Sequence, residues 1–187
     1  MRTRKSSLLC VLAVIAVPAT AQDMPLPGPR AFDQMRGGCG DFAMDIGRET
    51  AAWASPAVAE IAASPTEAGS PMIAAGQVTR LALHPHGDVT FRVAPEQDRG
   101  APDRFSGHAR VMIPEAGLWR VAASNGLWFD AVVADAIVPT AAFEMQTGCR
   151  TPFKVVVFDL PAGEVALQFN GSPTAEVEVV VLPWADR

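Results

Sequence analysis

Apolar and polar residues alternate along most of the chain after residue 76. Val165, Leu167 and Phe169 alternate with polar or small residues, and three valines near the C-terminus alternate with Glu176 and Glu178. Successive side chains of a strand point to opposite faces of a sheet, so this period of two predicts strands with one buried face. Nine such segments lie at 77–83, 88–93, 108–113, 118–124, 127–133, 137–145, 153–158, 164–169 and 175–182. They predict a mainly β, jelly-roll-like sandwich of about eight or nine strands over residues 77–182.

The N-terminal part of the chain has a different pattern. Residues 22–38 contain three prolines and little periodic apolar content, which predicts an extended arm. Apolar residues recur at helical spacing over 42–53, with Asp41 as a capping residue before them and Pro56 as a stop after them. We therefore expect a short helix at 42–53, followed by the sandwich, within a single domain of residues 39–187.

The dipeptide Asn125-Gly126 lies between two of the predicted strands. Asn and Gly tolerate the positive φ angles of a type I′ turn, so this pair predicts a two-residue β-hairpin. The hairpin register places three residue pairs opposite each other: Ser124 with Leu127, Ala123 with Trp128, and Val121 with Asp130.

The first residues resemble an export signal. Three basic residues precede an apolar run at 8–17, and the small residues Ala19-Thr20-Ala21 follow it. This order predicts a signal peptide over 1–21 with cleavage after Ala21. The apolar run is too short to span a bilayer. We therefore expect a periplasmic or secreted protein that does not span the membrane.

Two cysteines, Cys39 and Cys149, remain after the predicted cleavage. In an oxidising compartment a single pair has only one possible connectivity, so we expect a structural disulfide between them. The chain-entropy relation gives about 4–5 kcal/mol of stabilisation, as an upper figure, for a loop of this length. The alternative is a pair of redox or metal-binding thiols, which the absence of a Cys-x-x-Cys spacing disfavours.

Charge excludes one class of partner. The chain carries 15 Lys and Arg against 20 Asp and Glu, and three of the basic residues lie in the predicted signal, so the remainder has a net charge of about −8. Binding to nucleic acid depends on clustered basic residues that displace counterions from phosphates. Nucleic acid is therefore not an expected partner.

Three segments share a strand pattern with a known family. They are AGLWRV at 116–121, Trp128-Phe129-Asp130, and FDLPAGEVAL at 158–167. These segments resemble the "AG-x-[aromatic]-x-V" and "L-x-AG-x-[hydrophobic]-x-L" strands of the bacterial pre-peptidase C-terminal domain, a small jelly-roll sandwich appended to secreted enzymes. The resemblance covers about residues 77–182 and implies the fold. Family members often carry Asp-x-Asp-Leu where this chain has Asp130 as its only acid.

A possible metal site lies at His84-Pro85-His86. Residues two apart in a strand share a face, so both imidazoles could bind one divalent metal ion. The spacing is similar to part of the cupin metal motif, but Thr90 and Phe91 stand where that motif has its glutamate. The proline and the following glycine favour the alternative, in which the two histidines lie in a turn.

A possible binding face centres on Asp130. In the hairpin register Asp130 shares a face with Trp119 and Trp128, and such a face could stack a sugar ring and accept its hydroxyl groups. The alternative is a buried structural aspartate, which needs donors because an unpaired buried carboxylate is costly. Candidate donors are Lys154, Arg150 and backbone amides.

Known catalytic motifs give no support for an enzyme, because the chain has neither a G-x-S-x-G elbow nor a phosphate-binding glycine loop. We therefore expect an exported non-catalytic β-sandwich, without a cofactor, that binds a polysaccharide or another envelope component, for example an envelope protein. One alternative is a small metal-dependent, cupin-like enzyme of the dioxygenase type, or a metal-binding protein, that uses His84 and His86. Another is a purely structural accessory subunit.

Overall fold

The computed structural model describes residues 25–57 and 60–185. Over these residues the chain forms twelve strands, one α-helix and four short 3-10 turns. The strands build two six-stranded sheets with a shared apolar core, so the predicted mainly β sandwich is confirmed. The predicted export signal, with its cleavage after Ala21, lies outside the described residues.

The longest strands lie inside the sheets. In chain order the strands are β1 Glu60–Ala62, β2 Met72–Ile73, β3 Thr79–Ala82, β4 His84–Pro85, β5 Phe105–Ile113, β6 Gly117–Ala123, β7 Trp128–Val133, β8 Ala136–Ile137, β9 Thr140–Met145, β10 Lys154–Leu160, β11 Gly163–Ser172 and β12 Glu176–Pro183. The first sheet has the order β1-β3-β12-β6-β10-β9. The second has the order β2-β5-β11-β7-β8, and β4 also pairs with β5.

Strand number and extent differ from the prediction. The described sandwich starts at Glu60 rather than at residue 77, because three short strands precede or flank the first predicted one. The predicted strand 88–93 forms only an isolated bridge, between Thr66 and Thr90. An alternating pattern cannot be recognised in strands of two or three residues, and such short strands depend on the neighbour with which they pair.

The core between the sheets follows the predicted alternation. Every second residue of the long strands points inward and is buried, including Val165, Leu167, Phe169, Trp119, Val121, Val156, Phe158, Val177, Val179 and Val181. The pairs of inward-facing valines and leucines fill the space between the sheets, which is the main stabilising contribution of this fold.

The outer face of the first sheet is also covered. A second apolar cluster joins Val155, Val157 and Val180 of this face to Met44 and Ile46 of the N-terminal region. The helix α1, Gly47–Trp53, lies on the same face. Consequently the central strands β6 and β10 of the first sheet are buried on both faces over most of their length.

Helix α1 ends at the predicted residue but starts five residues later, at Gly47 rather than 42. Asp41 does not cap it; the Asp41 carboxylate instead accepts a hydrogen bond of 2.7 Å from the Gly38 amide. The amides of Ala43 and Met44 donate to the buried carboxylate of Glu144 on β9, at 2.7–3.0 Å. Because these amides are held by a strand residue, the first predicted turn of helix does not form.

The predicted Asn125-Gly126 hairpin is wrong. Strand β6 pairs with β10 and β12 of the first sheet, whereas β7 pairs with β11 and β8 of the second, so the dipeptide connects the two sheets. Neither residue has a positive φ. The turn with two positive φ angles is instead Ala134-Asp135, at 49° and 66°, between the paired residues Val133 and Ala136.

Hydrogen bonds of the Asn125 side chain stabilise the connection that leads from β6 in one sheet to β7 in the other. Its side-chain amide donates to Ser172 Oγ at 2.9 Å and to Thr174 Oγ1 at 3.1 Å. Its side-chain oxygen accepts from the amide of Leu127 at 3.1 Å, and Leu127 is fully buried in the core. Asn125 thus forms a local Asx-type turn anchored to the β11–β12 connection.

The disulfide between Cys39 and Cys149 is confirmed. It holds the N-terminal arm beside β9, where the Gly148 amide also donates to the Gly37 carbonyl at 2.9 Å. Arg30 of the arm forms an ion pair with the buried Glu144. The disulfide indicates an oxidising, extracytoplasmic location. Within residues 25–57 and 60–185, none of the helical segments has both the length and the apolar character needed to cross a membrane.

Candidate binding pocket beside Trp128

A loop, residues 93–99, covers part of the outer face of the second sheet; we call it the strap. Polar side chains of the sheet bind its backbone. Gln168 donates to the Val93 carbonyl at 3.1 Å, and Asn170 donates to the Gln97 carbonyl at 2.8 Å. Both side chains are fully buried although they lie on the outward-facing side of β11. The polar face therefore has a structural role, because it satisfies the strap's backbone groups.

Asp130 on β7 is part of this buried polar face and is 2% exposed. Its carboxylate accepts hydrogen bonds from the Trp128 indole N–H at 2.8 Å and from the Glu96 amide of the strap at 3.3 Å. Burial raises the pKa of Asp130, while the bonds from Trp128 and Glu96 oppose that shift. The geometry matches the alternative of a buried aspartate with a backbone amide among its donors.

The expected common face of Trp119, Trp128 and Asp130 does not exist. Trp119 lies in the core between the sheets, 3% exposed, and its indole N–H donates to the Glu115 carbonyl at 3.1 Å. Trp128 and Asp130 lie on the outer side of the other sheet. The correction follows from the hairpin, because the face was derived from a strand pairing that does not form.

Trp128 remains partly exposed, and two cations lie near its ring. Arg99 of the strap has its guanidinium carbon 5.6 Å from the ring centroid. The amine of Lys154 is 5.3 Å from the same centroid. Both distances are within the range of cation–π attraction. The Asp130 bond fixes the indole orientation, and both cations lie within 5.6 Å of the ring centroid.

Lys154 is the first residue of β10 and has the inward parity of Val156 and Phe158, at the end of the sandwich core. It is 4% exposed, and its amine donates to the Leu127 carbonyl at 2.8 Å. Two further aromatic rings surround it, with centroids 4.6 Å and 5.4 Å away: Phe129 and Phe143.

Burial is the main reason why the pKa of Lys154 is lowered from 10.5 to about 7. The positive charge of Arg99 lowers this pKa further, and the carboxylate of Asp130 acts in the opposite direction. An ammonium group loses its hydration in such an environment, so the neutral amine is favoured. Near neutral pH the amine is therefore present in both protonation states.

Two adjoining cavities open beside this group, with volumes of about 270 Å³ and 340 Å³. They share Gln97, Trp128, Phe143 and Lys154 as lining residues. Glu96 lines the first cavity and Arg99 the second. We call the two cavities together the Trp128 pocket. Its aromatic walls with a few charged groups are typical of small-molecule sites.

A larger cleft of about 520 Å³ lies at another part of the surface. Arg80, Arg150 and Glu178 are among its lining residues, and Arg80 is paired with Glu178 at 2.8 Å. The cleft has no aromatic lining residue. It thus offers polar contacts without a surface on which a ring could stack.

The two histidines proposed as metal ligands have separate protein partners. His84 Nε2 lies 2.8 Å from the Ala63 carbonyl oxygen. His86 Nδ1 is hydrogen-bonded to Ser106 Oγ at 2.8 Å, and its Nε2 lies 3.9 Å from Asp98. Across the described ranges 25–57 and 60–185, no three His, Cys, Asp or Glu side chains are grouped so as to hold a metal ion. The pair thus gains no third ligand from the described chain.

The sequence did not single out Lys154 as a site residue, although it carried a usable signal. Lys154 is one of only two lysines in the chain, the other being Lys5, and it occupies an inward position of an otherwise apolar strand. Burial at a core position perturbs the pKa of an ionisable residue, which marks such a residue as a candidate functional group.

Comparison with known proteins assigns no relative. No family model matches the chain, and its sequence matches none of the curated proteins. The similarity to the pre-peptidase C-terminal domain therefore stays a resemblance of strand patterns, and the function has to be inferred from the geometry described above.

Proposed function

We propose that the protein is a non-catalytic binding module, periplasmic or secreted, whose ligand is an acidic polysaccharide of the cell envelope. The Trp128 pocket would hold one sugar ring that carries a carboxylate. The observation that carries this proposal is the combination of a partly exposed, fixed indole with two cations at 5.3 Å and 5.6 Å from its ring.

Each group that lines the pocket would contact a different part of the ligand. The indole and the neighbouring phenyl ring of Phe143 offer apolar surface to the C–H groups of a sugar. Arg99 is exposed on the strap and presents a planar donor set that suits a carboxylate. Lys154, in its protonated form, adds a second positive charge. A neutral glycan would bring no negative charge to the two cations, so the charge pattern favours an acidic one.

The location rests on two features of different kinds. The Cys39–Cys149 disulfide supports an oxidising compartment outside the cytoplasm. The N-terminal pattern that ends at Ala21 supports export through a cleaved signal. An envelope polysaccharide is available to a protein in that location, and the negative net charge of the chain makes a specific basic pocket necessary for binding an acidic polymer.

Fluorescence titration tests this proposal with oligogalacturonate as the acidic probe and a cello-oligosaccharide as the neutral one. We expect oligogalacturonate to change the tryptophan emission and Arg99→Gln to weaken its binding at least about tenfold, as for the loss of a hydrogen bond to a charged group. The control is Trp53→Phe, whose indole N–H bonds to Glu178 away from the pocket. This variant should bind as the wild type does.

Three results would contradict the proposal. Equal binding of the acidic and neutral probes would remove the role of the cations. No binding of either probe by a folded, disulfide-bonded protein would favour the purely structural subunit. Binding that survives Arg99→Gln and Trp128→Leu but is lost on changing Arg150 would move the site to the polar cleft.

A further inference from the structure

Lys154 lies at a cavity, and among the described residues no carboxylate is hydrogen-bonded to its amine. Its hydrogen bond goes to a main-chain carbonyl, that of Leu127. In the part of the chain that the structure describes, no carboxylate forms an ion pair with it. A buried lysine that serves only to stabilise a fold is normally paired with an acid. The environment of Lys154 is therefore better suited to chemistry of the neutral amine.

The neutral amine is the nucleophilic form of lysine. Enzymes that use a lysine to attack a carbonyl group obtain this form by desolvating it in an apolar pocket or by placing another cation beside it. Lys154 has both conditions, with three aromatic rings within 5.4 Å of the amine and Arg99 on the neighbouring wall. The lowered pKa of about 7 agrees with this geometry.

We infer that Lys154 captures the carbonyl group of a small 2-oxo acid as an imine, in the cavity that it shares with Arg99. The inference goes beyond the proposed function, because it assigns a small oxo acid as a second ligand of the same pocket and a covalent mode of capture. Arg99 would bind the carboxylate of the oxo acid, and the adjacent carbonyl carbon would face the Lys154 amine.

The reaction balances without an oxidant or a reductant. The nitrogen lone pair forms a bond to the carbonyl carbon, and the π electrons of the C=O bond move to the oxygen, which gains the proton that the nitrogen releases. The resulting carbinolamine loses its hydroxyl group together with a second nitrogen proton as water, and a C=N bond forms. The products are one imine and one water molecule, and addition of water reverses the step.

Charged groups near the amine define its pH behaviour. Arg99 and Glu96 line the pocket from the strap, and the buried Asp130 on β7 does not line it but favours the protonated amine electrostatically. The lining residues contributed by β9 carry no charge. Capture requires the neutral amine, so it should increase as pH rises through about 7. Binding of an acidic sugar to the protonated amine should weaken over the same range.

Reductive trapping tests the inference on the full chain with its disulfide intact. Glyoxylate is the probe, and sodium cyanoborohydride reduces any imine to a stable carboxymethyl-lysine at about pH 7.5. Peptide mass spectrometry should locate the modification at Lys154. We expect the folded protein to react at Lys154 at least about tenfold faster than the same residue in urea-unfolded protein, because unfolding restores an ordinary lysine pKa.

Controls separate capture from general amine reactivity. Lys154→Met should abolish the modification at residue 154 and leave only that of the α-amino group and, where residues 1–21 are retained, that of Lys5. Arg99→Gln should slow trapping by glyoxylate more than trapping by propanal, an aldehyde without a carboxylate. If folded Lys154 reacts no faster than unfolded Lys154, or if propanal and glyoxylate are affected equally, the inference is wrong.

The two proposals fail separately. Trapping of glyoxylate without any response to oligogalacturonate would retain the imine and remove the acidic polysaccharide. A fluorescence response to oligogalacturonate without trapping would retain the binding module and remove the covalent step.

Discussion

Replacing Lys154 with methionine should stabilise the fold at pH 6 by about 1–3 kcal/mol. Methionine fills a similar volume without a charge. The pKa of Lys154 is lowered from 10.5 to about 7 in the folded protein. At about 1.4 kcal/mol per pKa unit, holding the charged amine in the folded state lowers the free energy of unfolding by about 3–5 kcal/mol. The variant loses the hydrogen bond to the Leu127 carbonyl, which costs about 1–3 kcal/mol and offsets part of the gain.

The pH dependence gives a sharper measurement than the magnitude at one pH. Below about pH 7 both the folded and the unfolded wild type hold the Lys154 proton, so this residue adds no slope. Between about pH 7 and 10.5 the unfolded chain keeps a proton that the folded protein has released, so wild-type stability rises with pH. The free energy of unfolding of wild type minus that of Lys154→Met should therefore rise by up to about 1.4 kcal/mol per pH unit.

Urea denaturation of both proteins at several pH values from 6 to 9.5 measures this difference. Arg99→Gln provides the matched control: Arg99 lowers the pKa of Lys154, so its removal should shift the rise to higher pH without abolishing it. Parallel stability curves for wild type and Lys154→Met would refute the reasoning. A methionine variant that is less stable than wild type at pH 6 would also refute it, because the buried amine would then not be held at a cost.

The remaining predictions concern stability. Asp130→Ala should lower the free energy of unfolding by about 1–3 kcal/mol in urea denaturation, because it leaves the indole N–H of Trp128 and the backbone amide of Glu96 without an acceptor; an unchanged midpoint would mean that this face is hydrated. Reduction of Cys39–Cys149, or its replacement by serine, should cost about 2–4 kcal/mol and lower Tm by several degrees, and two alkylatable thiols in the unreduced native protein would contradict the bridge. Gly171→Ala should cost about 1–3 kcal/mol, since its φ is +72° and a Cβ there would overlap the backbone of the strap. Gly126→Ala should cost less than about 1 kcal/mol, because Gly126 has no positive φ and its Cβ would lie 3.2 Å from a Phe153 side-chain carbon; equal losses for the two glycine variants would contradict the backbone assignment.

The sequence by itself determined the architecture and the disulfide. Strand alternation at Val177, Val179 and Val181 is a local property, because successive side chains of any strand point to opposite faces, and these valines are buried as predicted. The Cys39–Cys149 bridge could be predicted because only two cysteines lie outside the predicted signal, and two cysteines have only one possible connectivity. Each conclusion depended on residues near one another in sequence or on counting, so no knowledge of the packing was required.

Strand pairing was decided by the tertiary structure. Asn125-Gly126 has the local preference for a type I′ hairpin, yet β6 pairs with β10 and β12 of the first sheet and β7 with β11 of the second. The side-chain bonds of Asn125 to Ser172 and Thr174 then favour a crossing between the sheets. A turn preference of about one kcal/mol cannot outweigh the burial of two complete strands.

The Trp128 pocket was likewise decided only by the fold. Its parts come from β7, from β10 and from the strap, which are separated in sequence and meet because β7 lies in one sheet and β10 in the other. The sequence identified Trp128 and Asp130 as neighbours on one strand, a relation that requires only the period of two. It named Lys154 only as one of several candidate donors to Asp130 and did not predict its lowered pKa, because that pKa depends on burial by rings that the tertiary packing brings around the amine.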